Sequence, residues 1–247
     1  MDHILVHDYD DGVTLLTINR PERRNAVSQQ TALELQAAFA AFDKSDQRVA
    51  VVTGAGNLAF CTGADLKDGP PELWRCMPTI GVTTEKPIIA AVGGWCIGGG
   101  LVLAMMCDLL VAADNAKFLY PEGKVGGTGG IIASLAARIP HKVAMELMLL
   151  GRTMNAQRAY DVGLANEIAP EGQQVEQALV MAREMAQLAP LVLKTLKRFV
   201  VQSVLPRGPA ETLALINQDL EINIKSRDLT EGVAAFREKR KPKFEGR

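Results

Sequence analysis

From Pro87 to Cys107 the chain carries no charged residue, and Gly93, Gly94, Gly98, Gly99 and Gly100 stand inside that run. The stretch is long enough to cross a bilayer as one helix. Glycine, however, costs a helix interior about 1 kcal/mol relative to alanine at each position. The run is therefore read as a buried strand from Ile88 to Val92, a glycine turn, and a buried helix from Gly100 to Cys107. Elements that are apolar on every side need cover on every side, which an α/β layered fold provides.

The same alternation runs on both sides of that segment. Gly12 to Asn19 reads as a strand and is broken by Arg20-Pro21-Glu22-Arg23-Arg24. Ser28 then sits where a helix cap belongs, with Leu35, Phe39 and Phe42 on one face of the helix it would open. Val49 to Thr53 is a further strand, as are Leu109 to Ala112 and Phe118 to Tyr120, with helices expected over Ile131 to Arg138 and Val143 to Leu150. Beyond Thr153 strands nearly vanish. Asn155 caps a short helix that stops at Gly163, Leu164 to Ala169 is extended, and helical periodicity marks Val175 to Ala189, Leu191 to Val204, Pro209 to Lys225 and Thr230 to Lys239. The expected organisation is an α/β core over residues 1–190 and a helical region over 191–247. In that region Leu213, Ile216, Leu220, Ile222 and Ile224 exceed what one narrow stripe requires, so it either packs on another subunit or folds back on its own core.

Charge excludes several classes of function. Lys and Arg number 27 against 28 Asp and Glu, so no global field draws the chain to nucleic acid or anionic lipid. Cys61, Cys76, Cys96 and Cys107 form no C-x-x-C pair and have no histidine at ligand spacing, which argues against zinc and against a disulfide framework. The acidic start, Met1-Asp2-His3, lacks the basic region of a secretory signal, and a reducing cytosol is expected. The glycine triplet is no G-x-G-x-x-G loop and no P-loop lysine follows it, so neither a dinucleotide nor a metal site is expected.

Three segments carry candidate chemistry. Phe60-Cys61-Thr62-Gly63-Ala64-Asp65-Leu66 and Trp95-Cys96-Ile97-Gly98-Gly99-Gly100 each follow a strand and lead toward an expected helix, whose first amides lack internal partners. Two such donors converging on one point would hold an oxygen that gains negative charge. The triplet removes every Cβ at its junction, so a ligand can touch the backbone there. Tyr120-Pro121-Glu122 supplies a carboxylate confined between proline and the loop Val125-Gly126-Gly127-Thr128-Gly129-Gly130. Beside such a pair of donors, Glu122 becomes the natural proton carrier once burial raises its pKa.

These segments, with Asn19-Arg20-Pro21, Asn25-Ala26-Val27, Ala144 to Leu149, Gly163-Leu164-Ala165 and the closing Phe236 to Pro242, resemble the crotonase superfamily of enoyl-CoA hydratases and isomerases over nearly the whole chain. The resemblance implies a spiral of ββα units whose carboxyl-terminal helices assemble a homotrimer or a dimer of trimers. It implies an acyl-CoA thioester as substrate, no cofactor beyond that CoA, and a thioester oxygen held by the amides of Ala64 and Gly99, with Glu122 as the catalytic acid. It also assigns substrate or CoA contacts to Arg24, Ala26, Thr62, Gly63, Asp65, Leu66, Gly98 and Val102.

The pattern departs from the family in two places. Hydratases of the family carry a second glutamate just after the glycine triplet, where this chain has Val102. Adding water needs both an activating group and a proton source, whereas moving a double bond needs one carboxylate. An isomerase shifting a 3-enoyl to a 2-enoyl thioester is thus the expectation. A slow hydratase, a thioester hydrolase or a malonyl-type decarboxylase stand as alternatives, as does a weakly catalytic relative that binds RNA or protein through Arg237 to Lys243. The second departure is the Gly126 to Gly130 loop, which is shorter than the family's. Asp68, Glu72 and Glu85 are candidates for a second acid, and Trp74 and Met77 for the acyl wall or core cover.

Overall fold

A computed structural model describes residues 2–69 and 71–247. The strands are β1 (Ile4–Asp8), β2 (Val13–Ile18), β3 (Val49–Gly54), β4 (Ala59–Cys61), β5 (Ile88–Val92), β6 (Trp95–Ile97), β7 (Leu109–Ala113), β8 (Lys117–Leu119), β9 (Met154–Asn155) and β10 (Glu167–Ala169). The helices are α1 (Gln29–Lys44), α2 (Gly99–Met106), α3 (Glu122–Val125), α4 (His141–Met145), α5 (Ala156–Asp161), α6 (Gln174–Ala186), α7 (Pro190–Phe199), α8 (Pro209–Ile224) and α9 (Arg227–Glu238).

Strands succeed each other in pairs, and each pair divides between two sheets. The first members, β3, β5 and β7, lie side by side and parallel in a sheet of order β1-β2-β3-β5-β7-β10. The second members, β4, β6 and β8, lie parallel in a smaller sheet of order β4-β6-β8-β9. Repetition of strand, strand and helix therefore advances the chain as a spiral, the crotonase α/β fold.

Side-chain alternation explains why the large sheet is buried on both faces. Val49, Val51, Ile89, Ala91 and Val111 pack on Ala178, Leu179 and Ala182 of α6. Ala50, Val52, Ile88, Ala90 and Val92 face the main core with Phe39 of α1, Leu101 of α2 and Phe118. Ser28 caps α1 by accepting the Thr31 N–H, and Asn155 caps α5 by accepting that of Arg158, as their positions predict.

Several elements differ from expectation. β1 pairs antiparallel with β2 but exposes most of its side chains, so the segment shows no alternating pattern to read. The expected helix at 131–138 is a tighter 3-10 stretch, Ile131–Ala137. Wide π turns end two others, at Glu146–Leu150 and Val200–Val204. More consequentially, no helix follows Thr62-Gly63-Ala64: the chain goes from β4 into a turn, and Ala64 instead forms an isolated parallel bridge with Val27. Its amide is freed by strand geometry, not by a helix start.

Candidate active site

Because β4, β6 and β8 are parallel neighbours, with one shift of register between β4 and β6, the residues after their carboxyl ends share one rim. Those residues are Thr62-Gly63-Ala64, Gly98-Gly99 and Tyr120-Pro121-Glu122. Gly63 adopts φ +86° and Gly98 φ +55°, conformations that favour glycine. A methyl group on Gly63 would stand 3.0 Å from the Gly99 nitrogen, so the two turns touch. Gly98 N–H donates to the Leu119 carbonyl at 2.9 Å, tying the triplet to β8.

Two amides on this rim have no acceptor. The bridge to Val27 uses the Gly63 carbonyl and the Asp65 N–H, each at 2.8 Å, and strand alternation turns the Ala64 N–H the other way. Gly99 opens α2, where no carbonyl lies one turn earlier in the helix. Among the described residues neither N–H donates to a protein group.

Glu122 faces the same point. A methyl on Gly98 would lie 2.7 Å from its Oε1, and Oε2 is buried without a hydrogen-bond partner. Desolvation pushes the carboxyl up to about 7, with only a backbone N–H pulling the other way. A group so tuned exchanges protons near neutrality. On the other flank, the Leu73 side chain packs against Gly99, its Cδ1 2.7 Å from where a methyl would be.

The rim is braced by residues that motif spacing alone did not single out. Asn25, fully buried and at φ +56°, accepts the Arg20 N–H and donates to the carbonyls of Ala55 (2.9 Å) and Ala59 (2.7 Å), fixing the entry to β4. Arg20, also buried, meets Asp65 at 3.0 Å and the Ala26 carbonyl at 2.5 Å. Burial raises the Asp65 carboxyl, but the Lys67 N–H, Arg20 and Arg23 outweigh it and hold the group below its usual range. Asp65 thus anchors the residue next to Ala64.

Other expected contacts fall elsewhere. Arg24 is exposed; its carbonyl accepts the Thr62 hydroxyl at 3.2 Å, and it lines a cavity of about 330 Å³ with Asn57, Trp95 and Lys117, at the amino ends of the small sheet. Leu66 is 74 % exposed, Ala26 is buried, and Val102 is buried one turn into α2. The candidate second acids are each engaged in an ion pair: Asp68 with Arg20, Glu72 with Arg75, Glu85 with Arg198. Met77 is core, Trp74 is partly buried beneath Arg75, and the histidines lie outside the motifs. Arg240 of the basic run is paired with Glu231 and Glu238. A cavity of about 580 Å³ lies between the far end of α2, Arg138 and α7, and none of Ala64, Gly99 or Glu122 lines it. No cluster of three or more potential metal ligands occurs among the described residues, and no helix there is long and apolar enough to cross a membrane.

A parallel rim offering free amides to an oxygen, with one carboxylate beside them, defines a protein of the crotonase class, built to handle a carbonyl compound that acquires charge. The model of the enoyl-CoA hydratase/isomerase family matches residues 8–247, and the chain belongs to that family, whose members act on CoA thioesters and need no cofactor besides that substrate. It is 35% identical to (E)-benzylidenesuccinyl-CoA hydratase of Thauera aromatica, over 95% of this chain and 96% of that one. It is 33% identical to carnitinyl-CoA dehydratase of Proteus mirabilis, with 94% of each covered. Among solved structures, a probable enoyl-CoA hydratase/isomerase from Mycobacterium abscessus matches at TM-score 0.75 and 39% identity, covering 100% of both chains. A carnitinyl-CoA hydratase from Mycobacterium avium matches at 0.77 and 33%, again over 100% of both.

Proposed function

We propose that the protein isomerises 3-enoyl-CoA to 2-enoyl-CoA with Glu122 as its single acid–base. The ionised carboxylate takes a proton from C2 of the substrate. Electrons move into the thioester, and the oxygen that gains charge is held by the N–H groups of Ala64 and Gly99. Glu122, now protonated, returns the proton to C4, leaving the double bond between C2 and C3. Each backbone donor is worth about 3 to 4 kcal/mol of transition-state stabilisation, by analogy with measured oxyanion holes. Thr62, Gly63 and Gly98, which stand on the same rim, are assigned to the substrate side of the site.

One observation carries this assignment: Glu122 sits against Gly98 with a pKa raised to about 7, while the position after the triplet that would hold a second acid is the apolar Val102. Hydration is the second reading, favoured by relatives named hydratase and dehydratase at 35% and 33% identity. Incubation with 3-enoyl, 2-enoyl and malonyl-type thioesters, with products identified by mass and proton NMR, separates the outcomes. A 3-enoyl substrate left unconverted overturns the isomerase.

We extend the proposal to assembly and place of action. Leu213, Ile216, Leu220 and Ile222, each about half exposed or more, support residues 191–247 as the region that builds a homotrimer or a dimer of trimers around the 1–190 core. Free Cys61, Cys76, Cys96 and Cys107 support a cytoplasmic location. The salt-bridged basic tail and balanced charge favour an enzyme over an RNA-binding relative.

A further inference from the structure

The segment that carries Leu73 against Gly99 is one short 3-10 turn, Leu73–Cys76, whose charged groups reach two different helices. On one side, Glu72 and Gln29 of α1 bond reciprocally, Glu72 N–H to the Gln29 side-chain carbonyl at 2.8 Å and the Gln29 amide to the Glu72 carboxylate at 3.0 Å. On the other, Arg75 grips Glu221 of α8 with both terminal nitrogens, at 2.9 and 2.8 Å, while its Nε donates to Glu72 at 2.7 Å. The guanidinium lies 4.5 Å over the Trp74 ring and its side chain is only 11% exposed. A two-pronged arginine fork of this kind fixes direction as well as distance.

The other end of α8 rests against the glycine loop that follows Glu122. A methyl on Gly130, at the end of that loop, would lie 3.1 Å from the Ala210 Cβ, and Glu211 is buried. One helix thus spans from the loop beyond Glu122 to the turn holding Leu73. Glu122 and Leu73 flank Gly98 and Gly99, and α8 contacts both the loop that follows the first and the turn that carries the second.

We propose that the Arg75–Glu221 pair is a positioning element that sets the acyl size the cleft accepts, by holding Leu73 against Gly99. This rests on the acyl-thioester reading above. Neither side chain touches the reacting atoms. Loosening the pair releases the 3-10 turn, Leu73 withdraws, and room opens beside the amides for a longer or bulkier acyl group. Proton transfer by Glu122 is left as it was.

The test measures the affinity of saturated acyl-CoAs of increasing chain length, which cannot isomerise, for the wild type, Glu221→Gln, Arg75→Lys and Leu73→Ala. Exchange of the α-protons of bound short-chain acyl-CoA in heavy water is followed alongside. The expected result is a shift of roughly tenfold in the long-to-short affinity ratio for the single variants, the scale of one methylene in a tight pocket, with exchange on the short acyl group unchanged in Glu221→Gln and Arg75→Lys. Equal weakening at every chain length, or an unaltered ratio in folded Glu221→Gln and Leu73→Ala, overturns the proposal while leaving acyl-CoA binding intact. A wild type that binds no acyl-CoA overturns the functional assignment itself.

Discussion

Glu122 and Gly98 are in contact: the carboxylate Oε1 occupies space that any β-carbon at position 98 would need, 2.7 Å away. The acid is thereby held beside the backbone turn whose next amide, that of Gly99, is free. The carboxylate proposed to carry the proton and the free N–H proposed to stabilise charge thus stand at neighbouring glycines.

Replacing Glu122 with Gln keeps the shape and removes the proton. Turnover of a 3-enoyl thioester is expected to fall by about 10²- to 10⁴-fold, the usual contribution of general acid–base catalysis, with acyl-CoA affinity retained. Proton exchange at the α-carbon of a bound acyl thioester checks it. Equal exchange by both proteins would remove Glu122 from the mechanism.

The raised pKa gives a pH signature in activity. Glu122 acts first as a base, so kcat/KM should rise with pH and level off above about 7, the carboxyl's value in the fold. Stability moves in the opposite sense. The folded carboxyl binds its proton more tightly than the unfolded chain, so between the ordinary value of 4.5 and about 7 the fold loses stability as pH rises. Discounted for the partial solvent access of the side chain, the loss is on the order of 1 kcal/mol. Thermal unfolding of Glu122→Gln against wild type at pH 5 and pH 8.5 should show the variant's advantage only at the higher pH.

The glycines of the triplet should respond unequally to alanine. At Gly98 the added methyl meets Glu122 at φ +55°, so activity falls with a stability loss of about 1 to 2 kcal/mol. At Gly100 it would run into the Cys61 carbonyl, forcing the backbones apart at about 3 kcal/mol. Gly99→Ala meets only the end of Leu73, keeps its N–H, and should fold and retain proton exchange. Denaturant melts and the exchange assay together rank the three.

Val102→Glu puts a carboxylate where the family's hydratases have one. Hydration of a 2-enoyl thioester is expected to rise by at least about tenfold, since a second group can then activate water. A variant that folds yet hydrates no faster would detach Val102 from reaction choice.

Asp65 predicts acid sensitivity of the rim. Its carboxyl lies below the ordinary range, so the stability it supplies is present above the unfolded value of 3.8 and lost as pH falls through the folded one. Asp65→Asn should flatten the acid limb of the stability curve and cost about 1 to 2 kcal/mol at neutral pH, because the buried Arg20 keeps only the longer pairing with Asp68 and the Ala26 carbonyl. Urea unfolding from pH 2 to 7 measures both.

Much of this was legible in the chain. The uncharged run broken by five glycines announced a strand, a turn and a buried helix; β5 and α2 occupy the outer places, and the unexpected short strand β6 lies between them among the glycines. Glu122 could be singled out because proline and glycine confine it. What could not be read was pairing at long range. β4 and β6 are three residues each, too short to show alternation, yet their parallel register is what brings Gly63 to Gly99. The freed amide of Ala64 arises from a bridge to Val27, far back in the chain, rather than from the helix the local pattern suggested. Arg75 and Glu221 lie 146 residues apart, and ordinary surface charges look the same in sequence.

The helix that grips the turn carrying Leu73 begins at residue 209, long after Glu122 has been made. If the chain folds in the order of its synthesis, the segments of the rim are on hand before the helix proposed to tune them, and discrimination between acyl groups is the last property to be gained.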